Sequence, residues 1–371
     1  MKIGLLNPTV LLRRPIVELA HKLEERGHKV TIITPVDQHS TWTPAHFENE
    51  QINTLYLPSK EIRFLLWTIP YPATFRRLWK AMKNFDVIQI WAPYYIPAIL
   101  PLIYRLFLRQ SARIILTFDT FPGYSFQFDS VVDFLMRFYH QTIGRLLFNR
   151  ADAITLYGQQ LLKFLKIVHI NIAKIQVIST GVSMPQILAP RLREKRINLL
   201  FIGLMNRRKG VDVLLKALTN LKKDNVDFHA NLVGDGPQRK KFITESIKFG
   251  VSKDIDFIGR TSKIKEYFSI ADMLILPSYG EGLPGVVMEA MAFGVPVIAS
   301  NIPCLPDLIP NKSFGQLFPV GDVDALVRAI LTYVNNIRYY QSVVENARKH
   351  IQSFNWEKVI PKYEALYESL A

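Results

Sequence analysis

The chain has 371 residues, of which 49% are hydrophobic and 21% charged, and this composition excludes a disordered or low-complexity protein. Its single cysteine excludes a disulfide framework and a zinc site built from a cysteine cluster, and it fits a reducing compartment. The formal net charge of +15 indicates an affinity for anions, which include nucleic acid, lipid headgroups and phosphorylated small molecules.

The first half of the chain alternates short β-branched runs with amphipathic stretches. Residues 2–6 predict a strand rather than a signal peptide, because the apolar run is short and stops at Pro8. A helix is predicted over 15–26, stopped by Gly27. The other strands predicted in this half cover 29–34, 86–90, 113–117, 153–156 and 174–179.

The longest uncharged run covers residues 87–104, which is near the minimum for a membrane-spanning helix. It contains three prolines and begins like a buried strand. We therefore expect a strand, a loop and a core helix here.

The second half repeats the alternation and ends in an amphipathic helix over 354–370. A helix is predicted over 211–219, and a linker over 185–196, which carries two prolines and a run of charges. The strands predicted here cover 198–203, 228–234, 255–257, 273–277 and 296–300. This order predicts two doubly wound α/β domains, each with a parallel sheet covered by helices.

Residues 276–298 are the part of the sequence that is richest in chemical signals. A predicted strand ends at Pro277, a glycine-rich turn follows, and a helix is expected to begin near Pro284 and to end at Gly294. The unpaired backbone N–H groups at the start of such a helix suit a diphosphate.

Two glutamates, Glu281 and Glu289, belong to this segment. Eight positions separate them, so they are expected to reach different parts of one ligand rather than a shared metal. Carboxylates beside a phosphate repel it unless they bind something else, and sugar hydroxyls are suitable donors. The alternative is an ordinary strand, turn and helix with solvated glutamates.

These glutamates stand in the E-x7-E motif of GT-B glycosyltransferases, and EGLPGVVMEAMAFGVPVIAS resembles the retaining family 4, or group 1, type. Further segments similar to that family lie at 201–212, 233–237, 315–322 and 353–356. The resemblance implies the GT-B fold, in which two Rossmann-like domains have a cleft between them. The expected domains are an acceptor-side domain at 1–185, a nucleotide-sugar domain at 186–352, and a helix at 353–371 that crosses back onto the first domain.

The family also implies roles for individual residues. Glu281 would contact hydroxyls of the donor sugar, and Glu289 would bind the ribose of the nucleotide. Lys209, with its basic neighbours, would neutralise the departing diphosphate. The remaining residues expected at the donor are Arg208, Arg207, Gly203, Gly282, Leu283, Pro284 and Gly285.

Several positions depart from the family pattern. Leu204 stands where an arginine is frequent, and the loop 7–14 has no glycine. Asp119 lies nearest the place where the family often has a histidine near the sugar. It is expected either to bond a sugar hydroxyl or accept the acceptor's proton, or to cap a helix or turn.

No metal or cofactor is predicted, because the eight histidines show no H-E-x-x-H or similar spacing. The nucleotide-sugar is expected as a substrate, and the other partner as a glycan or a lipid-linked acceptor.

Residues 60–85 mix basic and aromatic side chains. This mixture suits a helix lying on an anionic membrane surface, and equally a core-facing amphipathic helix pair broken by Pro70 and Pro72. Nucleic acid is not expected, because no recognised nucleic-acid motif is present. The expected location is cytoplasmic, with possible peripheral attachment to the inner face of the cell membrane.

The sequence thus predicts a retaining glycosyltransferase that moves a sugar from a nucleotide-sugar to an acceptor. Two alternatives stay open. One is another GT-B enzyme, such as an epimerase or hydrolase, which needs no acceptor. The other is a basic scaffold without catalytic activity that binds an anionic polymer or membrane.

Overall fold

The computed structural model describes residues 1–37, 52–62, 67–107, 112–125, 130–185 and 196–370. The chain divides into two compact units, of which the N-terminal unit comprises Met1–Gly181 with Trp356–Ala371 and the C-terminal unit comprises Val182–Asn355. Most of the linker expected at 185–196 lies outside the described residues.

The N-terminal unit contains an eight-stranded sheet in the order β4-β3-β2-β1-β5-β6-β7-β8. Its strands are β1 (Lys2–Leu6), β2 (Lys29–Val36), β3 (Thr54–Ile62), β4 (Trp67–Pro70), β5 (Val87–Trp91), β6 (Arg113–Phe118), β7 (Ala153–Leu156) and β8 (Ile175–Val177). All neighbours pair in parallel except β3 and β4, which are antiparallel. Every residue of β5 and β7 is buried, as expected for a parallel strand covered on both faces.

The helices of this part of the chain are α1 (Arg14–Glu25), α2 (Pro72–Met82), α3 (Ile96–Phe107), α4 (Ser130–Tyr139), α5 (Arg145–Phe148) and α6 (Leu162–Ile167). A π-helical turn, His140–Gly144, joins α4 to α5. Helix α3 contacts both α2 and α5. Residues of these three helices share one core cluster with Leu6 and Ile88 of the sheet. No helix of the described residues is both long and apolar enough to span a membrane.

The interpretation of residues 60–85 as a surface helix or a helix pair was wrong for its first part. Residues 60–62 complete β3 and pair with β4, and 63–66 lie outside the described residues. Pro70 ends β4 at the edge of the sheet, where a missing N–H is tolerated, and Pro72 starts α2, where its fixed φ suits a first helical residue.

The C-terminal unit contains a six-stranded parallel sheet in the order β11-β10-β9-β12-β13-β14. Its strands are β9 (Ile197–Ile202), β10 (Phe228–Val233), β11 (Ile255–Gly259), β12 (Met273–Leu276), β13 (Val297–Ser300) and β14 (Gln316–Phe318). Its helices are α7 (Val211–Lys223), α8 (Arg239–Lys248), α9 (Ile264–Ile270), α10 (Gly285–Phe293), α11 (Val323–Asn335) and α12 (Ile337–Ile351). The expectation of two parallel-sheet α/β domains is confirmed.

The last helix, α13 (Trp356–Leu370), belongs to the N-terminal unit and contacts α1. Trp356 is buried, and its indole N–H donates to Glu18 at 3.1 Å. A Cβ at Gly181 would lie 2.3 Å from the Trp356 ring, so the chain needs glycine there for the indole to pack. Tyr367, also buried, donates its hydroxyl proton to the Gln89 side chain on β5.

We expect Trp356→Ala to lower the free energy of unfolding by about 3–5 kcal/mol, because it removes a large buried ring and leaves a cavity. Phe134→Ala is the matched control, since Phe134 is 67% exposed in the same unit. Its replacement is expected to change stability by less than about 0.5 kcal/mol. Urea unfolding of both variants checks this, and equal losses would contradict the packing of α13 described above.

Candidate active site

Strands β9 and β12 lie side by side at the centre of the C-terminal sheet, although 70 residues of chain separate Ile202 from Met273. From this point the chain builds β10 and β11 on one side and β13 and β14 on the other. The loops that follow the carboxyl ends of two such strands diverge and leave a crevice, which is where open α/β sheets bind ligands. The residues predicted to bind the donor lie in these two loops, except Gly285 and Glu289, which lie in the helix α10 that follows the second loop.

Backbone contacts join the two loops. The N–H of Tyr279 donates to the carbonyl oxygen of Arg208 at 2.7 Å. Gly210 has φ +66°, and a Cβ there would lie 1.9 Å from the carbonyl oxygen of Pro277. The chain therefore needs glycine at position 210 both for its left-handed backbone and for the closeness of the second loop.

An ion-pair cluster connects the same loops through their side chains. The Nζ atom of Lys209 lies 2.6 Å from Oε1 of Glu281, and the Nη1 atom of Arg208 lies 3.8 Å from Oε2. Arg208 also donates to the carbonyl oxygen of Gly280 at 3.3 Å. Glu281 is buried, and the Lys209 side chain is only 12% exposed. The structure thus brings together three residues that the sequence singled out.

The charge state of Glu281 follows from these neighbours. Burial, the largest influence, acts to raise the pKa of its carboxyl group, but the positive charges of Lys209 and Arg208 outweigh burial and hold that pKa below its ordinary value. Glu281 is therefore an ionised carboxylate at neutral pH, and the cluster carries a net charge of +1.

Helix α10 begins immediately beyond Glu281. Pro284 is its N-cap, Gly285 is its exposed first residue, and a Cβ at Gly285 would meet no atom within 4 Å. Gly282 and Leu283 lead into this helix start, which carries unpaired N–H groups and a partial positive charge. Glu289 lies on the second turn of α10 and is half-buried.

The remaining basic residue, Arg207, is exposed at the start of the short 3₁₀ turn Arg207–Lys209. Asn206 caps this turn, because its side-chain oxygen accepts from the N–H of Lys209 at 3.2 Å. Asn206 is not among the site residues predicted from the sequence. The available signal was the asparagine itself, because asparagine is among the preferred N-cap residues.

The loop that follows β10 packs against the loop that follows β9. Gly234 has φ +131°, and a Cβ there would lie 2.0 Å from the carbonyl oxygen of Gly203. The N–H of Met205 donates to the carbonyl oxygen of Asp235 at 2.9 Å. Gly203 is therefore packed against the neighbouring loop, while Leu204 beside it is half-buried.

In the N-terminal unit, Asp119 follows the end of β6 and forms an ion pair with Arg13, whose Nη1 atom lies 2.6 Å from Oδ2. Burial acts to lower the pKa of Arg13, but the Asp119 carboxylate has the opposite effect and the net shift is upward. Tyr94 and Thr120 share a hydrogen bond of 2.7 Å beside this pair. No local sequence pattern singles out Arg13 as the partner of Asp119.

Comparison with known protein families gives two matches. The family described as glycosyl transferases group 1 matches residues 186–350. The family described as glycosyltransferase family 4 matches residues 13–184. The two matches follow one another and together cover most of the chain.

Individual relatives are similar over part of their length. An uncharacterized glycosyltransferase of Haemophilus influenzae is 28% identical over 193 residues, which are 52% of this chain and 54% of that protein. A putative colanic acid biosynthesis glycosyltransferase, WcaL of Salmonella typhimurium, is 28% identical over 210 residues, 53% of this chain and 52% of that protein. The chain thus matches about half the length of these curated relatives.

Among solved structures, Anabaena HepE in complex with UDP and glucose superposes with a TM-score of 0.80 at 16% identity, covering 100% of both chains. At this identity the likeness concerns the fold, which is GT-B. The chain belongs to the group 1 glycosyltransferases.

We expect Gly210→Ala to destabilise the C-terminal unit far more than Gly250→Ala. Both glycines have a left-handed backbone, with φ of +66° and +71°, but a Cβ at Gly250 would meet nothing within 4 Å. The control Gly250→Ala therefore lowers the free energy of unfolding only by the cost of the left-handed conformation, roughly 1 kcal/mol. Gly210→Ala has this cost and also separates the two loops. Thermal unfolding measures the difference, and equal losses would show that the two loops do not need this close approach.

The lowered pKa of Glu281 predicts a pH dependence of stability. A carboxyl group whose pKa is lower in the folded state stabilises that state above its ordinary value of 4.5, and this contribution is lost as the pH falls through the lowered pKa. We expect the wild type to lose more stability than Glu281→Gln as the pH is lowered from 7 into this range. Urea unfolding at several pH values tests this, and parallel pH profiles would contradict the ion pair.

Proposed function

We propose that this protein is a retaining glycosyltransferase that transfers a sugar from a nucleotide-diphosphate sugar to a glycan or lipid-linked acceptor during polysaccharide or glycoconjugate synthesis. The observation that carries the proposal is the cationic cluster of Lys209 and Arg208 around Glu281, beside the start of α10 and at the switch point of the C-terminal sheet.

The chemistry of sugar transfer matches this arrangement. Cleavage of the bond between the sugar and the diphosphate moves negative charge onto the diphosphate. Cations and helix-end N–H groups that are already in place stabilise that charge in the transition state. A charge-assisted contact of this kind is worth roughly 1.5–3 kcal/mol.

The ion pair with Glu281 leaves Lys209 able to act on the donor. An ammonium group has three N–H donors, and the contact at 2.6 Å uses one of them. We propose that its remaining donors bind phosphate oxygens of the donor. Glu281 has further acceptor sites, which we propose for sugar hydroxyls. We propose that Glu289, on the second turn of α10, binds the hydroxyls of the ribose.

The acceptor is proposed to bind the N-terminal unit. There Asp119, held by Arg13, supplies a carboxylate at the carboxyl edge of the sheet that can orient a sugar hydroxyl or take its proton. The name of the colanic acid relative supports a polysaccharide pathway, and the UDP bound to HepE makes a UDP-sugar the first donor to test. The retaining course is proposed from the family, and no metal or cofactor is assigned to the reaction.

The first experiment identifies the donor by thermal shift with UDP-glucose, GDP-mannose and ADP-glucose, because a ligand that binds the native state raises its apparent stability. Release of the nucleoside diphosphate is then measured with and without a glycolipid fraction as acceptor. We expect release to depend on the acceptor, whereas donor consumption without one would indicate a hydrolase or epimerase.

In that assay, Lys209→Ala is expected to lower turnover at least tenfold, the loss of one transition-state contact. Lys216→Ala is the matched control, because Lys216 is exposed on the adjoining helix α7 and is expected to leave turnover unchanged. Asp119→Asn is expected to lower turnover as well. A normal rate for Lys209→Ala would overturn the site, and a normal rate for Asp119→Asn would leave Asp119 with a structural role only.

A further inference from the structure

An apolar stripe lies on the outer side of the segment formed by α4, the π-helical turn and α5. Its members share one property, since each large apolar side chain is more than half exposed: Phe134, Leu135, Phe138, Ile143 and Leu146. Isolated exposed apolar residues are common on proteins, but a contiguous row of two phenylalanines and three aliphatic side chains marks an interaction surface. We call residues 134–146 of this segment the α4–α5 face.

The π-helical turn keeps this row continuous. Within α4, Phe134 and Phe138 are four residues apart, as in an ordinary helix, but the next exposed member, Ile143, is five residues further on. A turn with the i to i+5 spacing of a π-helix brings residues five apart onto the same side. Without this turn, Ile143 would rotate away from Phe138.

The opposite side of the segment is fixed in the core. His140 is buried and stacks on the ring of Phe121, with a centroid distance of 4.2 Å. Burial lowers the pKa of His140 to about 3, so this side chain is neutral at physiological pH. A Cβ at Gly144 would lie 2.9 Å from the carbonyl oxygen of Tyr139. His140 and Gly144 thus pack against the core, and the apolar row lies on the side of the segment away from it.

The exposed charges of the described stretch 130–175, which contains the α4–α5 face, are of one sign. In the described stretch 130–175 the only acidic residues are Asp133, which is buried, and Asp152, which forms an ion pair with Arg105. The exposed cations of this stretch beside Arg137 are Arg145, Arg150, Lys163 and Lys166. The apolar row is thus accompanied by positive charge, and the described stretch 130–175 contributes no exposed carboxylate to balance it.

Helix α2 extends the cationic character of this part of the unit. Helix α3 contacts α2 on one side and α5 on the other, and residues of all three share one core cluster. Helix α2 exposes Phe75 together with the cations Arg76, Arg77 and Lys80. The helices on this side of the N-terminal sheet therefore present apolar and cationic side chains outward.

We propose that the α4–α5 face docks the protein on the surface of an anionic lipid bilayer, with the apolar row inserted at the level of the headgroups and the cations against lipid phosphates. Amphipathic helices with these two elements lie in the plane of the interface, and their affinity combines apolar burial with attraction to anionic lipid. The α4–α5 face is not the segment 60–85, for which the sequence alone indicated membrane contact.

Charge decides between a bilayer and a second copy of the chain. In a symmetric dimer the same patch faces itself, so the cations of one copy would approach those of the other without an exposed carboxylate from the stretch 130–175 to pair with them. An anionic bilayer supplies the missing negative charge. The proposal goes beyond sugar transfer, and it is tested without donor or acceptor, so its failure is distinguishable from failure of the proposed enzyme.

The experiment is flotation of the full chain with vesicles of phosphatidylcholine alone or with about one third phosphatidylglycerol. We expect binding to the anionic vesicles that weakens as salt is raised. The double variant Phe134→Ser/Phe138→Ser is expected to lower the partition coefficient at least tenfold. Arg145→Gln and Arg150→Gln are each expected to lower it about fivefold, the effect of one basic residue near an anionic surface.

The control variant is Ile247→Ser/Ile337→Ser, which removes two exposed apolar side chains from the C-terminal unit and is expected to bind vesicles normally. Analytical ultracentrifugation of the same proteins tests for dimers. The proposal would be overturned by absence of vesicle binding, by equal binding to neutral vesicles, or by a dimer that the Phe134→Ser/Phe138→Ser variant alone dissociates.

An independent readout follows the insertion itself. In Phe138→Trp, the new indole is expected to be quenched by brominated lipid in anionic vesicles, whereas the indole of Ile247→Trp is not. Quenching that is equal in the two variants would contradict docking through the α4–α5 face.

Discussion

The ion pair between Lys209 and Glu281 is the contact on which the candidate site depends. It joins two loops that leave neighbouring strands, and it forms because Gly210 allows the second loop to approach the first at van der Waals distance. A buried charge pair is costly to desolvate and is therefore weak evidence of stability by itself. Here a second cation, Arg208, makes the cluster net positive, which suits the anionic leaving group that we propose.

The two units share a feature of their sheet topology. Each has a mainly parallel sheet whose strand order reverses near its centre, between β1 and β5 in one and between β9 and β12 in the other. In both, a cation from the loop after the first strand of the unit pairs with a carboxylate from a later loop, Arg13 with Asp119 and Lys209 with Glu281. The chemistry that we propose for each unit thus rests on loop residues held by a rigid sheet.

The sequence predicted the elements that are buried along their whole length. It did not predict the elements and contacts that depend on a partner distant in the sequence. Strand β7 and the start of α10 followed from local pattern and from Pro284. Strands β3 and β4 were not predicted. Strand β4 lies at the sheet edge, and the basic and aromatic residues around it in the sequence are equally typical of a surface helix. The partner of Asp119 is 106 positions away, and no local signal specifies such a contact. The exposed apolar row of α4 was also not predicted. The sequence pattern of a helix does not show which side faces water until the packing of that helix is known.

Lys209 and the start of α10 are proposed to bind a diphosphate, and the proposed function depends on this binding. Calorimetric titration of UDP, UMP and uridine into the wild type and Lys209→Ala tests it most directly, with the GDP or ADP series used if thermal shift selects that nucleotide. We expect the diphosphate to bind the wild type at least tenfold more tightly than the monophosphate, and this difference to disappear in Lys209→Ala while uridine binding stays the same. A wild type that does not distinguish the diphosphate from the monophosphate, or a variant that keeps the full difference, would contradict it.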